Sequence, residues 1–389
     1  MKIGLFIDTF YPMIDGVINV VDNYALHLSK YADVTVFCPL VDKTPIKNKP
    51  YKIVQCKSLS LKKYDYGLPL PAIDSAFMRE LENSDLDIVH IHSPFTVGMI
   101  GKNYAKKKKI PLVATLHSQY AQDFEMRVKL KSTVGICMHE IMSVFNACDI
   151  CFAVNDKIKE LYQTEYGLTA PCEVVYNATD YLPVKSPEQS YKRIKKAYNL
   201  QADIPLYLFV GRITRLKGVD FIVRALKILK DKGGKFKMIF AGKGEDEQYL
   251  KEIIASLNMQ KDIILAGRIE DKTSLADLYS SANLFLFPSL YDANSLVQIE
   301  SASQSTPTLF LKQAKTACLI KDGFNGYLSD YDERAFADKI LKIEEDKILY
   351  EEVCKNAFNT LYCTWENRVK EVYIKYLYLL ERKQIHFDK

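Results

Sequence analysis

Two carboxylates around a helix start are the most specific chemical signal in this chain. In Pro288-Ser-Leu-Tyr-Asp-Ala-Asn-Ser-Leu-Val-Gln-Ile-Glu300 an apolar strand ends, a short polar loop follows and a helix begins. Asp292 precedes the helix and Glu300 lies within it, among Val297, Ile299 and Ala302. Ser295 and Gln298 have capping-box spacing, which predicts where the free amides of the helix begin. Those amides lack intrahelical partners and carry partial positive charge, so they suit a phosphate. Neighbouring carboxylates suit hydroxyls. Phosphate and hydroxyls together suggest a nucleotide sugar. The plainer alternative for Glu300 is an exposed surface carboxylate.

A second loop, Gly211-Arg-Ile-Thr-Arg-Leu-Lys-Gly218, also follows a strand and precedes a helix. Its glycines allow close backbone approach, while Arg212 and Lys217 supply cations for phosphate. Its spacing is neither the Walker A nor the dinucleotide-binding pattern. The alternative is a basic surface turn. Gly16, in Asp8-Thr-Phe-Tyr-Pro-Met-Ile-Asp-Gly16, is either a turn glycine or a small residue beside a substrate. His90 and His92 alternate on one strand end and share a face. His117 ends the next apolar strand. Three histidines at one sheet edge could hold zinc, but no carboxylate accompanies them at a ligand spacing. A hydrogen-bonded cleft wall is favoured, with His117 as a substrate contact. Asp85-Leu-Asp87 and Asp330-Tyr-Asp332 read as turn chemistry, so no metal is expected.

These residues sit on alternating strands and helices. Ile3–Ile7, Val34–Phe37, Ile88–Ile91, Leu112–Thr115 and Ile150–Val154 form one series of apolar strands. Leu206–Val210, Lys237–Phe240, Ile263–Ala266, Leu284–Phe287 and Thr308–Phe310 form another. Short continuous apolar runs between helices predict parallel sheets covered on both faces. Each series opens with a strand, a glycine-bearing loop and a helix. The second such helix carries Ile222, Ala225, Leu226 and Leu229 at amphipathic spacing. Two α/β halves in series follow, with a linker near Pro183–Asp203 and a final helix from Trp365. Open α/β sheets bind ligands at the carboxyl ends of their strands, so halves facing each other would place a site in the cleft.

Composition sets outer bounds. The chain has 389 residues, 48% hydrophobic and 26% charged, with a net charge of +5. That balance permits acidic surfaces and does not point to nucleic acid. No apolar run is long enough for a bilayer, and Asp8 arrives too early for a signal-peptide core. Nine scattered cysteines predict a reducing compartment, and Cys148-Asp-Ile-Cys151 reads as core packing. Lys106–Lys109 reads as a solvated helix end. The alternative is contact with a membrane, to which Arg127, Lys129 and Lys131 would add.

In order and spacing, these motifs resemble the retaining GT-B glycosyltransferases of family 4, the group 1 type. The matching stretches are the Phe-Tyr-Pro loop with Gly16, His90-Ile-His-Ser-Pro-Phe95, Ala114-Thr-Leu-His117 and Val175-Tyr-Asn-Ala-Thr-Asp180. They continue through Val210-Gly-Arg to Lys217-Gly218, Ala241-Gly-Lys-Gly244, Asp292 to Glu300, and Thr364-Trp-Glu366. The resemblance implies two Rossmann-like domains facing across a cleft. Residues 1–182, with a returning C-terminal helix at about 365–389, would form the acceptor side, and 183–364 the nucleotide-sugar side. It implies catalytic roles for His117, Arg212, Lys217 and Asp292. Gly16, Gly211, Gly242, Arg268, Ile269, Ser295, Leu296 and Glu300 would bind the donor. Arg212 and Lys217 would hold the diphosphate, Glu300 the ribose, Asp292 the sugar, and Gly267-Arg-Ile269 the base.

The expected function is transfer of a hexose from a nucleotide diphosphate sugar, UDP-linked, to a lipid or cell-envelope glycan. No metal or cofactor is implied. The expected location is cytoplasmic, with peripheral contact on the inner face of the membrane. The chain departs from the family where Glu-Gly-Phe-Gly or Glu-Pro-Phe-Gly becomes Asp292-Ala-Asn-Ser295, which reshapes the sugar pocket. Two rival readings are a non-catalytic GT-B partner subunit and a sugar-nucleotide epimerase.

Overall fold

A computed structural model describes residues 1–13, 15–41, 46–60, 67–127, 131–200 and 204–387. The chain divides into two compact units, Met1–Asn177 with Trp365–Lys389, and Ala178–Thr364.

The first unit contains β1 (Lys2–Phe6), β2 (Asp33–Pro39), β3 (Lys52–Cys56), β4 (Ser58–Ser60), β5 (Gly67–Pro69), β6 (Ile88–Ile91), β7 (Leu112–Leu116), β8 (Ile150–Ala153) and β9 (Cys172–Val174). Seven of them form a parallel sheet in the order β3-β2-β1-β6-β7-β8-β9, while β4 and β5 pair as an antiparallel hairpin. The central strands are buried along nearly their whole length, as strands covered on both faces must be. The helix Trp365–Phe387 belongs to this unit. Trp365, Val369, Val372 and Tyr376 make its buried stripe, at the three- and four-residue steps that put side chains on one face. The Tyr376 hydroxyl lies 2.5 Å from His90 Nδ1, and Trp365 meets Tyr24 edge-on. Lys383 reaches Asp149 at 3.0 Å.

The second unit contains β10 (Leu206–Val210), β11 (Lys237–Ala241), β12 (Ile263–Gly267), β13 (Leu284–Phe287), β14 (Thr308–Leu311) and β15 (Tyr327–Ser329). They form one parallel sheet in the order β12-β11-β10-β13-β14-β15. The helix Val219–Asp231 packs on it, with Ile222, Ala225, Leu226 and Leu229 wholly buried. Phe209, Phe240, Phe285, Phe287 and Phe310 fill the core, several in offset stacks.

The edge strands β3, β9 and β15 go beyond the two series of apolar runs. At three to five residues, with polar positions among them, they carry too little apolar pattern to stand out in sequence. The proline-containing segment expected as a linker carries a helix, Pro187–Ala197. It is tied down by Asp277, which accepts from Ser190 and Arg193 at 2.6 and 2.5 Å. Cys148 and Cys151 are free, buried thiols resting 3.5 Å from helix carbonyls. Lys107 and Lys108 reach Glu82 at 2.7 and 3.7 Å, while Lys129 lies outside the described residues. Of the Asp pairs, Asp332 caps a helix, whereas Asp87 accepts from the Lys2 amide 85 residues away and ties the start of β1 to the entry of β6. No described helix is long and apolar enough to cross a membrane.

Candidate functional site

In the second unit, β10 has β11 on one side and β13 on the other. The chain direction across the sheet reverses there. Loops leaving such a pair of strands diverge and open a crevice at the carboxyl end. The two loops are the ones that carry the chemistry: Gly211–Gly218 follows β10, and Pro288–Ser295 follows β13. They touch. A Cβ on Gly218, which has φ 72°, would meet Pro288 Cγ at 3.0 Å. The Lys217 ammonium pairs with Asp292 Oδ1 and sits over the Phe287 ring at 5.8 Å. Both side chains are largely buried, and Asp292 Oδ2 is buried with no hydrogen-bond partner. A carboxylate half-used in this way retains acceptor capacity.

The neighbouring strands end in glycines that form a close-packed rim. The Gly211 amide donates to Ala241 O at 3.1 Å, and the Gly242 amide to Gly267 O at 2.8 Å. A Cβ on Gly242 would fall 1.8 Å from Gly211 O, so only glycine fits. Arg212 is exposed and pairs with no described residue. Arg268 is half-exposed with Glu270 at 3.5 Å, and Ile269 packs against the core.

The helix Leu296–Ser303 begins where the sequence placed it, but the capping box does not form. Ser295 is the N-cap residue, and its side chain makes no cap bond. Gln298 is buried with its Nε2 unpartnered, turned into the packed interior instead of back over the first turn. Leu296 is the first helical residue and is half-buried.

Glu300 is not a surface residue. It is half-buried and accepts a hydrogen bond from the Tyr279 hydroxyl at 2.8 Å. Burial pushes its pKa up to about 7, against the pull of Tyr279 and Lys272 and with help from Asp180. Lys272 and Asp180 are themselves 3.5 Å apart. Sequence reasoning does not connect Tyr279, Lys272 or Asp180 with Glu300. They converge only because the helix Lys272–Ser281 lies beside Glu300's helix and near the start of the unit.

In the first unit, His90, His92 and His117 do come together. The rings of His90 and His92 are 4.1 Å apart, and His92 Nδ1 lies 3.0 Å from His117 Nε2. All three are buried. Desolvation holds His90 and His92 well below the usual histidine range and His117 down to about 3, so the imidazoles are neutral. His90 also faces Thr115 Oγ1 at 2.7 Å. Gly16 opens the helix Gly16–Leu28, capped by Asp15, and a Cβ there would meet nothing within 4 Å. Crowding within the chain therefore gives no reason for glycine.

Asp8 stands out in sequence only as a strand end. It is buried, and it accepts from Ser93 Oγ, Thr96 Oγ1 and the Val97 amide at 2.7, 2.9 and 2.7 Å. The carboxylate thus occupies the N-terminus of the helix Thr96–Lys108 at the first sheet's own reversal point, between β1 and β6. Its signal in sequence is an acid at the end of an apolar strand, matched to a Ser-x-x-Thr after a later strand. Among the described residues no group of three or more acidic, histidine or cysteine side chains is arranged to hold a metal ion.

Two parallel sheets in tandem units, with polar and charged residues on the carboxyl-end loops, are the arrangement of the GT-B fold. Sucrose-phosphate synthase from Thermosynechococcus elongatus superposes with a TM-score of 0.80 at 18% identity, covering 98% of this chain and 99% of that one. Anabaena HepE, solved in complex with UDP, gives a TM-score of 0.78 at 15% identity over 96% and 99%. The chain belongs to family 4, group 1, of the glycosyltransferases: the Glycosyltransferase Family 4 model matches residues 14–181 and the Glycosyl transferases group 1 model residues 190–360. Alpha-monoglucosyldiacylglycerol synthase from Acholeplasma laidlawii is 24% identical over the full length of both chains. The enzyme of that name from Streptococcus pneumoniae is 24% identical over 88% of this chain and 78% of its own.

Proposed function

We propose that the chain is a retaining, metal-independent hexosyltransferase. It moves a sugar from a UDP-linked donor to a lipid or cell-envelope glycan, working on the inner face of the membrane. The observation that carries this reading is the pairing of Lys217 with Asp292 at the reversal point of the second sheet, beside a glycine rim and the half-buried Glu300.

In this reading the diphosphate lies against the Gly211–Gly218 loop, where Arg212 is unpaired and Lys217 exchanges Asp292 for phosphate. Those cations, with the amides at Ser295 and Leu296, neutralise the leaving group, which is the task a metal ion performs elsewhere. Asp292, once released, accepts from donor-sugar hydroxyls through two oxygens. Glu300 accepts from the ribose hydroxyls, Gly242 lines the floor, and Arg268 and Ile269 flank the base. Gly16 and His117 are the residues of the first unit assigned to sugar and acceptor. The bond between the anomeric carbon and the phosphate oxygen breaks. The acceptor oxygen bonds on the same face, and its proton passes to the departing phosphate.

The assignment of the nucleotide to the second unit rests on a contrast between the reversal points. In the first unit Asp8 already fills the helix amides, whereas in the second the Ser295 side chain makes no cap bond and leaves its helix start to a ligand. UDP in HepE supports the donor, and the diacylglycerol in the synthases' name supports a lipid acceptor. A thermal-shift screen of UDP-, GDP- and ADP-sugars tests the reading. Stabilisation by the UDP series is the expected result; a chain that responds to none of them is not this enzyme.

A further inference from the structure

We propose that His92 is a positioning residue: it locks neutral His117 as the tautomer protonated on Nδ1, so that His117 acts as a hydrogen-bond donor and not as a base. The role for His117 rests on the functional reading above; the tautomer does not.

The geometry leaves two arrangements. His92 follows β6 directly and His117 follows β7 directly, and these strands are parallel neighbours. The ring planes lie within 24° of each other, edge to edge with centroids 5.3 Å apart, and one hydrogen bond joins His92 Nδ1 to His117 Nε2 at 3.0 Å. Both imidazoles are deeply buried, so each carries a single proton.

In the first arrangement His117 Nε2–H donates to His92 Nδ1. The His92 proton must then sit on Nε2. That nitrogen is buried without a hydrogen-bond partner, so an N–H would be orphaned. In the second arrangement His92 Nδ1–H donates to His117 Nε2, and the orphaned atom is only a bare lone pair. Orphaned buried N–H groups are rare, and under-used acceptors are better tolerated. The second arrangement therefore prevails. His117 then carries its proton on Nδ1, and because His117 keeps 8% of its surface exposed while His92 keeps 1%, that N–H can meet water or a ligand oxygen where an N–H on His92 Nε2 could not.

The surroundings keep His92 in place. His90 lies against it, tilted by 33° with ring centroids 4.1 Å apart, and is itself held by Thr115 and Tyr376. Tyr24 closes against both rings, edge-on, at 5.7 and 5.4 Å. His90 thus forms a wall and does not join the relay. An Nδ1–H on His117 can grip a sugar or acceptor oxygen but has no lone pair there to take a proton.

Long-range proton–nitrogen correlation on the full chain, labelled at its six histidines, reads the tautomer directly. Replacing His117 by Asn assigns its signals. The expected spectrum shows a protonated Nδ1 and a bare Nε2 for His117, unchanged between pH 8 and pH 5. A protonated Nε2 in the native protein overturns the proposal. His92→Phe removes the donor and should give mixed His117 tautomers with a turnover number lower by about tenfold, the loss of one transition-state hydrogen bond. His92→Asn, whose amide can stand where Nδ1–H does, should restore both. Should the Phe variant fail to fold, the native spectrum and the Asn variant still decide. Full turnover with an unchanged tautomer in the Phe variant also refutes the idea. A native protein that shows the expected tautomer yet binds no UDP-sugar sinks the functional reading alone.

Discussion

Replacing Glu300 with Gln should make the protein more stable at alkaline pH while weakening its grip on nucleotide. In the folded chain Glu300 titrates near 7, against 4.5 for an ordinary glutamate. Below pH 4.5 both folded and unfolded states hold the proton, and the residue costs nothing. Between 4.5 and 7 the unfolded chain releases its proton while the native one keeps it, so stability falls as pH rises. Above 7 the loss is complete. The full gap would amount to about 3 kcal/mol at 1.36 kcal/mol per pH unit. Glu300 is only half-buried, so screening reduces this to about 1–2 kcal/mol. The Gln variant does not titrate. Its melting temperature relative to the native chain should therefore climb by about 2–8 °C between pH 4.5 and pH 8, at 2–4 °C per kcal/mol for a unit of this size. Scanning calorimetry at four pH values measures it. Over the same range native UDP affinity should rise from pH 6 to pH 8 as the carboxylate ionises. In the Gln variant it should be flat and about 10- to 100-fold weaker, since hydrogen bonds to a charged group contribute about 1.5–3 kcal/mol. A difference in melting temperature that stays constant with pH would refute the reasoning, because the residue would then not be buried against its own charge.

Three other outcomes follow from the same geometry. Lys217→Ala should weaken UDP binding by about 10-fold or more in calorimetry and abolish transfer, while leaving Asp292 uncompensated and the melting temperature slightly lower. Asp292→Asn should tighten UDP alone several-fold, because phosphate no longer competes with a carboxylate for Lys217, yet should slow sugar transfer; unchanged UDP affinity would mean that the pair is not the phosphate site. Gly242→Ala should cost about 2 kcal/mol or more, read as a denaturation midpoint shift, because its Cβ would lie 1.8 Å from Gly211 O and the rim must open.

Much of the fold is legible in the chain. β10 and β13 match their apolar runs residue for residue, since strands buried on both faces need unbroken hydrophobicity. The final helix is legible in the tyrosines and leucines at helical spacing from Trp365 to Leu380, although the stripe it buries is Trp365, Val369, Val372 and Tyr376, with Leu377 and Tyr378 left exposed. The short strands at sheet edges and the docked helix Pro187–Ala197 do not, because local polarity masks what tertiary pairing supplies. The site divides in the same way. Its glycines, Lys217, Asp292 and Glu300 stand out as residue types next to strand ends. Their partners do not: nothing near Glu300 in sequence points to Tyr279 or Lys272, and Ser295 with Gln298 has the letters of a capping box that packing overrides.

The sequence by itself determined that two parallel sheets exist, which strand ends carry cations and carboxylates, and which family pattern they follow. Periodicity and residue type are local properties, and one chain displays them completely. The tertiary structure decided what those groups face. Lys217 meets Asp292 because β10 and β13 are neighbours in the sheet though far apart in the chain. His117 meets His92 because β6 and β7 are neighbours. Protonation, pairing and tautomer depend on burial and on distances of about 3 Å, and strand order sets both.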